Sequence, residues 1–394
     1  MGTGATMRAA AAVIGVGESA YYRHGRSPVD EFSLCLDAVR AACGDAGIRP
    51  ADLDGFVSFS DDRNSSVRLA TSLGVRELRW STMQWGGGGG GSAGAVQQAA
   101  AAVHCGFADC VVVYRGITQG RHGRYSQGAA TRRWSSHFVP YGHLTAANFF
   151  ALNATRFFHE TGIDPGVQRS VVLASYAHAQ RNPRAVMHGR PLTAQAYDDS
   201  RWIVEPFHLY DCCQESDGAA ALIIVSADRA RATRPDPVYL LGCVQGAGHR
   251  GGGVIDGVFD SETLGTAEFR TVAPRLYAMA GVTPADIDVV QGYENFAAGV
   301  VMALIEHGFC EPDQANEFFV PETFLAPGGR LPLNTSGGNL AEGYLHGMGH
   351  HIEAVRQLRG TSVNQVPDAQ LSLVFAGPMV TPTSSAIYGS EATL

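Results

Sequence analysis

Residues 46–57 read AGIRPADLDGFV and residues 280–291 read AGVTPADIDVVQ, so one short motif occurs twice, more than half the chain apart. Solenoid repeats recur every ~20–50 residues, so this is a repeat of a different kind. Each copy follows an apolar stretch of helical spacing: Leu34, Ala38, Val39 and Ala42 in one, Val272, Leu276 and Ala280 in the other. Each also runs into an apolar strand-like segment. The chain is thereby constrained to two α/β halves related by duplication. The chemistry of such a pair is expected between the halves, where strand ends and helix starts converge.

Hydrophobic patterning fills in the halves. A strand is expected over 13–16, then a helix over 29–46 with Asp30 and Glu31 in its first turn and Gly47 at its end. A strand over 56–59 follows. Six consecutive glycines at 86–91 lead into a stretch of small residues that suits a tightly packed, buried helix. Residues 110–114 read as a buried strand that breaks at Arg115. Residues 115–210 hold many aromatics and arginines, among them Tyr125, Trp134, His137, Tyr141 and Tyr176. They are expected to form a loop domain that shapes substrate choice. A strand over 222–225 closes the first half, residues 1–233, and Arg234-Pro235-Asp236-Pro237 reads as the linker. The second half, 238–394, restarts with a strand over 238–242. It carries Tyr293-Glu294-Asn295-Phe296, then a polar run from Asn334 to His350, a helix to about 359 and a strand over 371–375.

Composition excludes several chemistries. All 29 basic residues are arginines. Schiff-base aldolases, pyridoxal-phosphate enzymes and Walker-type phosphate sites all need a lysine amine. A net charge of −8 argues against nucleic acid or an anionic membrane as the main partner. No window approaches a membrane span of ~20 apolar residues, and the first apolar run reads as a strand rather than a leader, so a cytoplasmic enzyme is expected. The eight cysteines form no Cys-x-x-Cys pair; Cys105, Cys110 and Cys243 read as core thiols. His346 and His350 are four apart on one face of the expected helix, but Gly347 stands where a zincin has glutamate, so no metal site is assigned.

Taken together, these segments resemble the thiolase superfamily over nearly the whole chain, the sterol-carrier-type thiolases in particular. Asp211-Cys212-Cys213 with Ser216-Asp217-Gly218-Ala219-Ala220 resembles the signature near the end of the first half. Asn334-Thr335-Ser336-Gly337-Gly338, with Glu353 and Gln357-Leu358-Arg359-Gly360, resembles the C-terminal signature. The resemblance implies a thiolase-like five-layer αβαβα fold of two duplicated halves, an acyl-CoA substrate and a homodimer.

Four chemical positions depart from the family. The nucleophilic cysteine falls near Gly89, the two histidines fall at Tyr293 and Tyr344, and the second cysteine falls near Ala376. Acyl transfer through a thiolate is thereby disfavoured. Two phenols at two former histidines are similar to the thiolase-like aldolases of steroid degradation, often described as lipid-transfer proteins. That resemblance, carried also by the glycine run, Val96-Gln97-Gln98-Ala99-Ala100 and Gly343-Tyr344-Leu345-His346-Gly347, implies retro-aldol cleavage of a bulky, steroid side-chain β-hydroxyacyl-CoA. The products would be a ketone or aldehyde and a short acyl-CoA such as propionyl-CoA or acetyl-CoA. Such a reaction needs a base, an acid and donors for an enolate. Tyr344 is assigned as base and Tyr293 as acid, with the reverse open. Asn295, Asn339 and the Gly337 and Gly338 amides are the expected oxyanion donors; His346 and Glu294 are expected to support the tyrosines. The glycines are expected to leave room for a tertiary alcohol. No cofactor beyond the coenzyme A of the substrate is required. The resemblance further implies a small OB-fold/zinc-ribbon partner protein. An acyltransferase or thiolase component, or a non-catalytic lipid-CoA binding subunit, remain the alternatives.

Overall fold

The computed structural model describes residues 7–85, 88–122, 139–248 and 265–394. Strands follow one another as β1 (Ala11–Glu18), β2 (Tyr22–Arg23), β3 (Gly55–Phe59), β4 (Trp80–Gln84), β5 (Cys110–Thr118), β6 (Trp202–Val204), β7 (Phe207–His208), β8 (Ser216–Ser226), β9 (Val238–Gly246), β10 (Val289–Gly292), β11 (Leu371–Ala376) and β12 (Thr383–Gly389). The main sheet runs β4-β3-β5-β8-β1, then β9-β12-β11-β10, with β2 on β8; β6 and β7 form a separate hairpin. The second series mirrors the first. β3 lies parallel to β5 as β10 does to β11, and β5-β8-β1 alternate antiparallel as β11-β12-β9 do. The two series meet edge to edge, Ala12 pairing with Tyr239 and Val13 with Val238, and the Ala9 amide donates to Leu240 O at 2.9 Å.

The repeated motif builds the same structure twice. The helices Glu31–Ala46 and Val272–Ala280 end at Gly47 and Gly281, both left-handed with φ 68 and 69. Single 3-10 turns, Pro50–Asp52 and Pro284–Asp286, follow. Asp52 accepts from the Arg49 amide at 3.1 Å, and Asp286 from the Thr283 amide at 2.7 Å. The last aspartate of each motif then ties down the start of a parallel strand. Asp54 accepts from the amides of Asp109 and Cys110; Asp288 accepts from those of Gln370 and Leu371, both at 2.8 Å.

Alternation along the strands makes layers. In β5, Val111 and Val113 face an inner core, while Cys110, Val112 and Tyr114 face an outer one. The inner core gathers Ala95, Val96 and Ala99 of the helix Gly91–His104, Met348, Ile352 and Val355 of the helix Met348–Leu358, and strand residues of both halves. Glu31–Ala46 covers one outer face and Val272–Ala280 the other. The sequence of layers is therefore α, β, α, β, α.

Several expectations need correction. β5 continues through Arg115 to Thr118 with every residue buried, because Arg115 and Thr118 carry buried hydrogen bonds. Within the expected loop domain stand two long helices, Ala146–Thr161 and Gln168–Arg181. Phe149, Phe150, Phe157 and Phe158 of the first are core residues. Tyr125, Trp134 and His137 lie outside the described residues. Cys105 is exposed, being the residue that caps the helix Gly91–His104, whereas Cys110 and Cys243 are buried. His346 precedes the final helix, which begins at Met348, so it shares no helical face with His350. Among the described residues no helix is long and apolar enough to cross a membrane.

Candidate active site

Tyr293 and Tyr344 come together. Their hydroxyls are 2.8 Å apart in one hydrogen bond, with ring centroids 6.1 Å apart and planes at 56°. Only 2% of Tyr293 and 5% of Tyr344 is exposed, and they pack with Ile117 and Cys213. Each is held by backbone. Tyr293 extends β10 by donating its amide to Phe375 O (3.0 Å), while Asn334 clamps Gly292 from both sides, Oδ1 accepting at 2.7 Å and Nδ2 donating at 2.9 Å. The Tyr344 amide donates to Ser216 Oγ (2.7 Å), and that hydroxyl donates back to Tyr344 O (3.3 Å). Ser216, at the start of β8, thus clips the second half's tyrosine to the first half.

Glycine makes the pair possible. A Cβ on Gly89 would lie 2.0 Å from Cε2 of the Tyr293 ring and 2.6 Å from its hydroxyl; one on Gly347, which has φ +82, would lie 2.6 Å from Cδ2 on the same edge of the ring. The space released at residue 89 is therefore filled by Tyr293 and not left open for substrate. Gly89 belongs to the turn leading into the helix Gly91–His104, whose cap Gly90 offers no side chain. A helix N-terminus favours negative charge at this spot.

The expected donors divide. Asn339, 2% exposed, has an Nδ2 with no partner among the described residues, and its backbone amide is tied to Glu294, the neighbour of Tyr293. Asn295 is removed from that set, since its Nδ2 already donates to Pro378 O (3.1 Å). Gly337 is removed as well, its amide bonding Asn334 O (2.9 Å), and the Gly338 amide faces Ser336 Oγ at a long 3.4 Å. Glu294 is fully buried, accepts from the Asn339 amide (3.0 Å) and lies 3.0 Å from His350 Nε2. It supports the turn carrying Asn339. His346 instead bonds Arg115, Nδ1 to Nη2 at 2.9 Å, and its ring stands edge-on to Tyr344 with centroids 5.2 Å apart. The two histidines go to different partners, and among the described residues no group of His, Cys, Asp and Glu is arranged to hold a metal.

The signature residues prove to be scaffold. Thr335 Oγ1 donates to Glu353 (2.6 Å) and accepts from Gln291 and Gln357, both at 2.9 Å, which completes its hydrogen-bonding capacity. Cys213 touches the tyrosines, yet burial first, then the charges of Cys212, Glu215 and Glu294, push its thiol well above the ordinary range. Such a thiol is a poor nucleophile. Sequence reasoning placed Ser216 and Asn334 in the signatures without their roles as clip and clamp, and it missed Arg115; all three act through partners far away in the chain.

Two residues before Tyr344 stands Glu342, which forms a buried acid pair with Glu18. Arg184 reaches Glu18 (3.6 Å) and Glu342 (3.7 Å), and Asn182 donates to Glu342 at 2.7 Å. Burial first, then the charge of Glu18, push Glu342 up to about 8 against the pull of Arg184. A carboxyl whose pKa rises on folding stabilises the protein at low pH, and that contribution disappears as pH climbs from the ordinary carboxyl range through about 8. Glu342→Gln, neutral at every pH, is expected to flatten the fall of Tm between pH 6 and 9. One such group changes stability by at most about 1.4 kcal/mol per pH unit, or about 2 °C in Tm for a chain of this size. Parallel melting curves of the two proteins across that range would refute the assignment.

The chain is similar to several known proteins. A family profile described as Thiolase C-terminal domain-like matches residues 256–390. A steroid side-chain-cleaving aldolase of Thermomonospora curvata is 40% identical over 391 residues, covering 97% of this chain and 98% of that protein. The 17-hydroxy-3-oxo-4-pregnene-20-carboxyl-CoA lyase of Mycobacterium tuberculosis is 38% identical over 389 residues, covering 96% and 99%. A solved structure of an Ltp2-ChsH2(DUF35) aldolase superposes with a TM-score of 0.90 at 40% identity, over 98% of this chain and 99% of that one.

Proposed function

Because the chain belongs to the steroid side-chain-cleaving aldolases of the thiolase superfamily, and so is a carbon–carbon lyase, we propose that its two apposed phenols carry out a retro-aldol cleavage of a steroid side-chain β-hydroxyacyl-CoA. The observation that carries this reading is the 2.8 Å hydrogen bond between Tyr293 and Tyr344, at positions where a thiolase would need histidines.

Tyr344 takes the proton of the β-hydroxyl while its own phenolic proton passes along the 2.8 Å hydrogen bond to Tyr293, whose proton is the one that goes to the α-carbon. The C–O bond becomes a carbonyl as the bond between the α and β carbons breaks, and its electron pair moves into the thioester enolate. Tyr293 returns a proton to the α-carbon. A ketone or aldehyde leaves along with a short acyl-CoA, propionyl-CoA or acetyl-CoA, and atoms and charge balance without any added reactant. Asn339 Nδ2 and the helix N-terminus at Gly89 are suited to the oxygen that becomes negative during the step. This cycle calls for no cofactor and no thiolate, and the raised Cys213 thiol disfavours the acyltransferase reading.

Two assembly features belong to the same proposal. The outer side of β4 has no partner strand among the described residues, and Met83 and Trp85 are exposed beside it, which suits a homodimer formed across that edge. A small OB-fold and zinc-ribbon protein is the proposed second partner, supported by the DUF35 component named in the solved aldolase complex. A cytoplasmic location fits the absence of a spanning helix among the described residues. The test is incubation with a panel of β-hydroxyacyl-CoAs, with and without that partner, reading released ketone or aldehyde and short acyl-CoA. Wild type and Cys213→Ser should give the same products at rates within about threefold. Loss of turnover confined to the serine variant would instead point to thiol chemistry.

A further inference from the structure

Arg115 is the one arginine of β5, and only 3% of it is exposed. Its guanidinium is surrounded by acceptors. Nη1 donates to Phe59 O (3.2 Å) and Asp62 (3.1 Å); Nη2 donates to Asp61 (2.9 Å) and meets His346 Nδ1 at 2.9 Å. A guanidinium has donors and no acceptor, and it stays charged throughout the working pH range. The His346 nitrogen facing it must therefore offer a lone pair, which leaves the ring hydrogen on Nε2. A second proton on Nδ1 would set one cationic N–H against another in a site where His346 is 1% exposed. His346 itself sits in a left-handed backbone conformation, φ 52, two residues past Tyr344, and its ring is perpendicular (88°) to the tyrosine's.

We propose that Arg115 is a positioning residue of the lyase: it locks His346 as the neutral Nε2–H tautomer and so holds that ring edge-on against Tyr344, keeping the Tyr344 hydroxyl on Tyr293. This rests on the aldolase reading of the tyrosine pair. His346 then carries no proton in the cycle and acts as a fixed wall of the site. Among the described residues, the charged and titratable groups around it include Arg115 from β5, Asp61, Asp62 and Arg63 from the loop after β3, and Tyr344 from its own loop. Burial first, then Arg115, hold the imidazole well below its ordinary range, with Asp61 opposing them and Arg63 adding to them. The aspartates belong to the device, because they fix the guanidinium that fixes the ring.

Two measurements test it. In full-length protein labelled with 15N-histidine, the resonances lost in His346→Gln should show an unprotonated Nδ1 and a protonated Nε2, unchanged from about pH 5.5 to 8.5. An Nδ1–H tautomer, or titration of this signal near the ordinary imidazole value of ~6.5, would overturn the proposal. The second is steady-state kinetics of Arg115→Lys, which keeps the charge facing Asp61 and Asp62 but cannot present the fork. Expected are a loss in kcat of roughly 100-fold, the scale of a small misplacement of a reacting group, a KM within about threefold, and a new inflection near ~6.5 in the pH profile of kcat. A variant with wild-type kcat and an unaltered profile would overturn the assignment. If Arg115→Lys does not fold, the NMR measurement on wild type decides alone. Absence of lyase activity in wild type would refute the aldolase reading, and the tautomer would still be read separately.

Discussion

Tyr344→Phe is expected to lower kcat by about 1,000-fold, and Tyr293→Phe by a loss of similar order, the range in which removal of a general acid or base falls. Both variants should bind acyl-CoA nearly as wild type does. The reason is geometric: each substitution removes one oxygen from the buried pair and leaves its ring in place between the same neighbours. The lost hydrogen bond should reduce stability by only about 1 kcal/mol. Rapid-mixing measurement of product release, alongside binding by calorimetry, separates the two effects. The pH profiles then assign the roles, because the variant lacking the base loses the limb on which turnover rises with pH. Wild-type turnover in both variants would remove the phenols from the acid and base roles.

Gly89→Ala should be nearly as damaging without touching any reacting atom. Its methyl would lie 2.0 Å from the Tyr293 ring, a separation no pair of carbons tolerates. The backbone at residue 89 is not among those with positive φ, so the clash comes from the ring and not from local strain. Tyr293 must move, and displacement of a reacting group by about 1 Å costs roughly 100-fold in rate. Overpacking should also reduce stability by about 1–3 kcal/mol. The same substitution in a Tyr293→Ala background should have little effect on stability, because the methyl then has space. That non-additivity, read from denaturant melts of the four proteins, is the diagnostic. Additive losses would mean that Gly89 and Tyr293 do not interlock. Gly89→Cys is expected to be inactive as a thiolase, since its sulfur would occupy the ring's place with no histidine beside it.

The duplication could be read from sequence because Asp54 and Asp288 do the same work in each half, so their surroundings stayed alike. Strand ends were harder to read. β5 looks finished at Tyr114 because Arg115 and Thr118 are polar, and only the fold shows that both are buried and bonded. The helices at 146–161 and 168–181 were read as loop, since a stretch rich in aromatics and arginines looks like a binding surface until Phe149 and Phe157 are seen to enter the core. In the site, motif positions located both tyrosines. They could not separate Asn295 from Asn339, which differ only in whether Pro378 O occupies the side-chain amide. Nor could they find the Ser216 clip, whose partners lie 128 residues apart.

The seam between the halves has a consequence for ancestry. The sheet crosses it through two residue pairs, whereas the inner helices pack on strands from both sides. A primordial polypeptide of one repeat would have left a flank of its inner helix bare to water. Docking on an identical sibling would cover that flank, as the second half covers it in the present chain. The two halves have diverged: both phenols lie in one of them and the glycine that accommodates Tyr293 lies in the other.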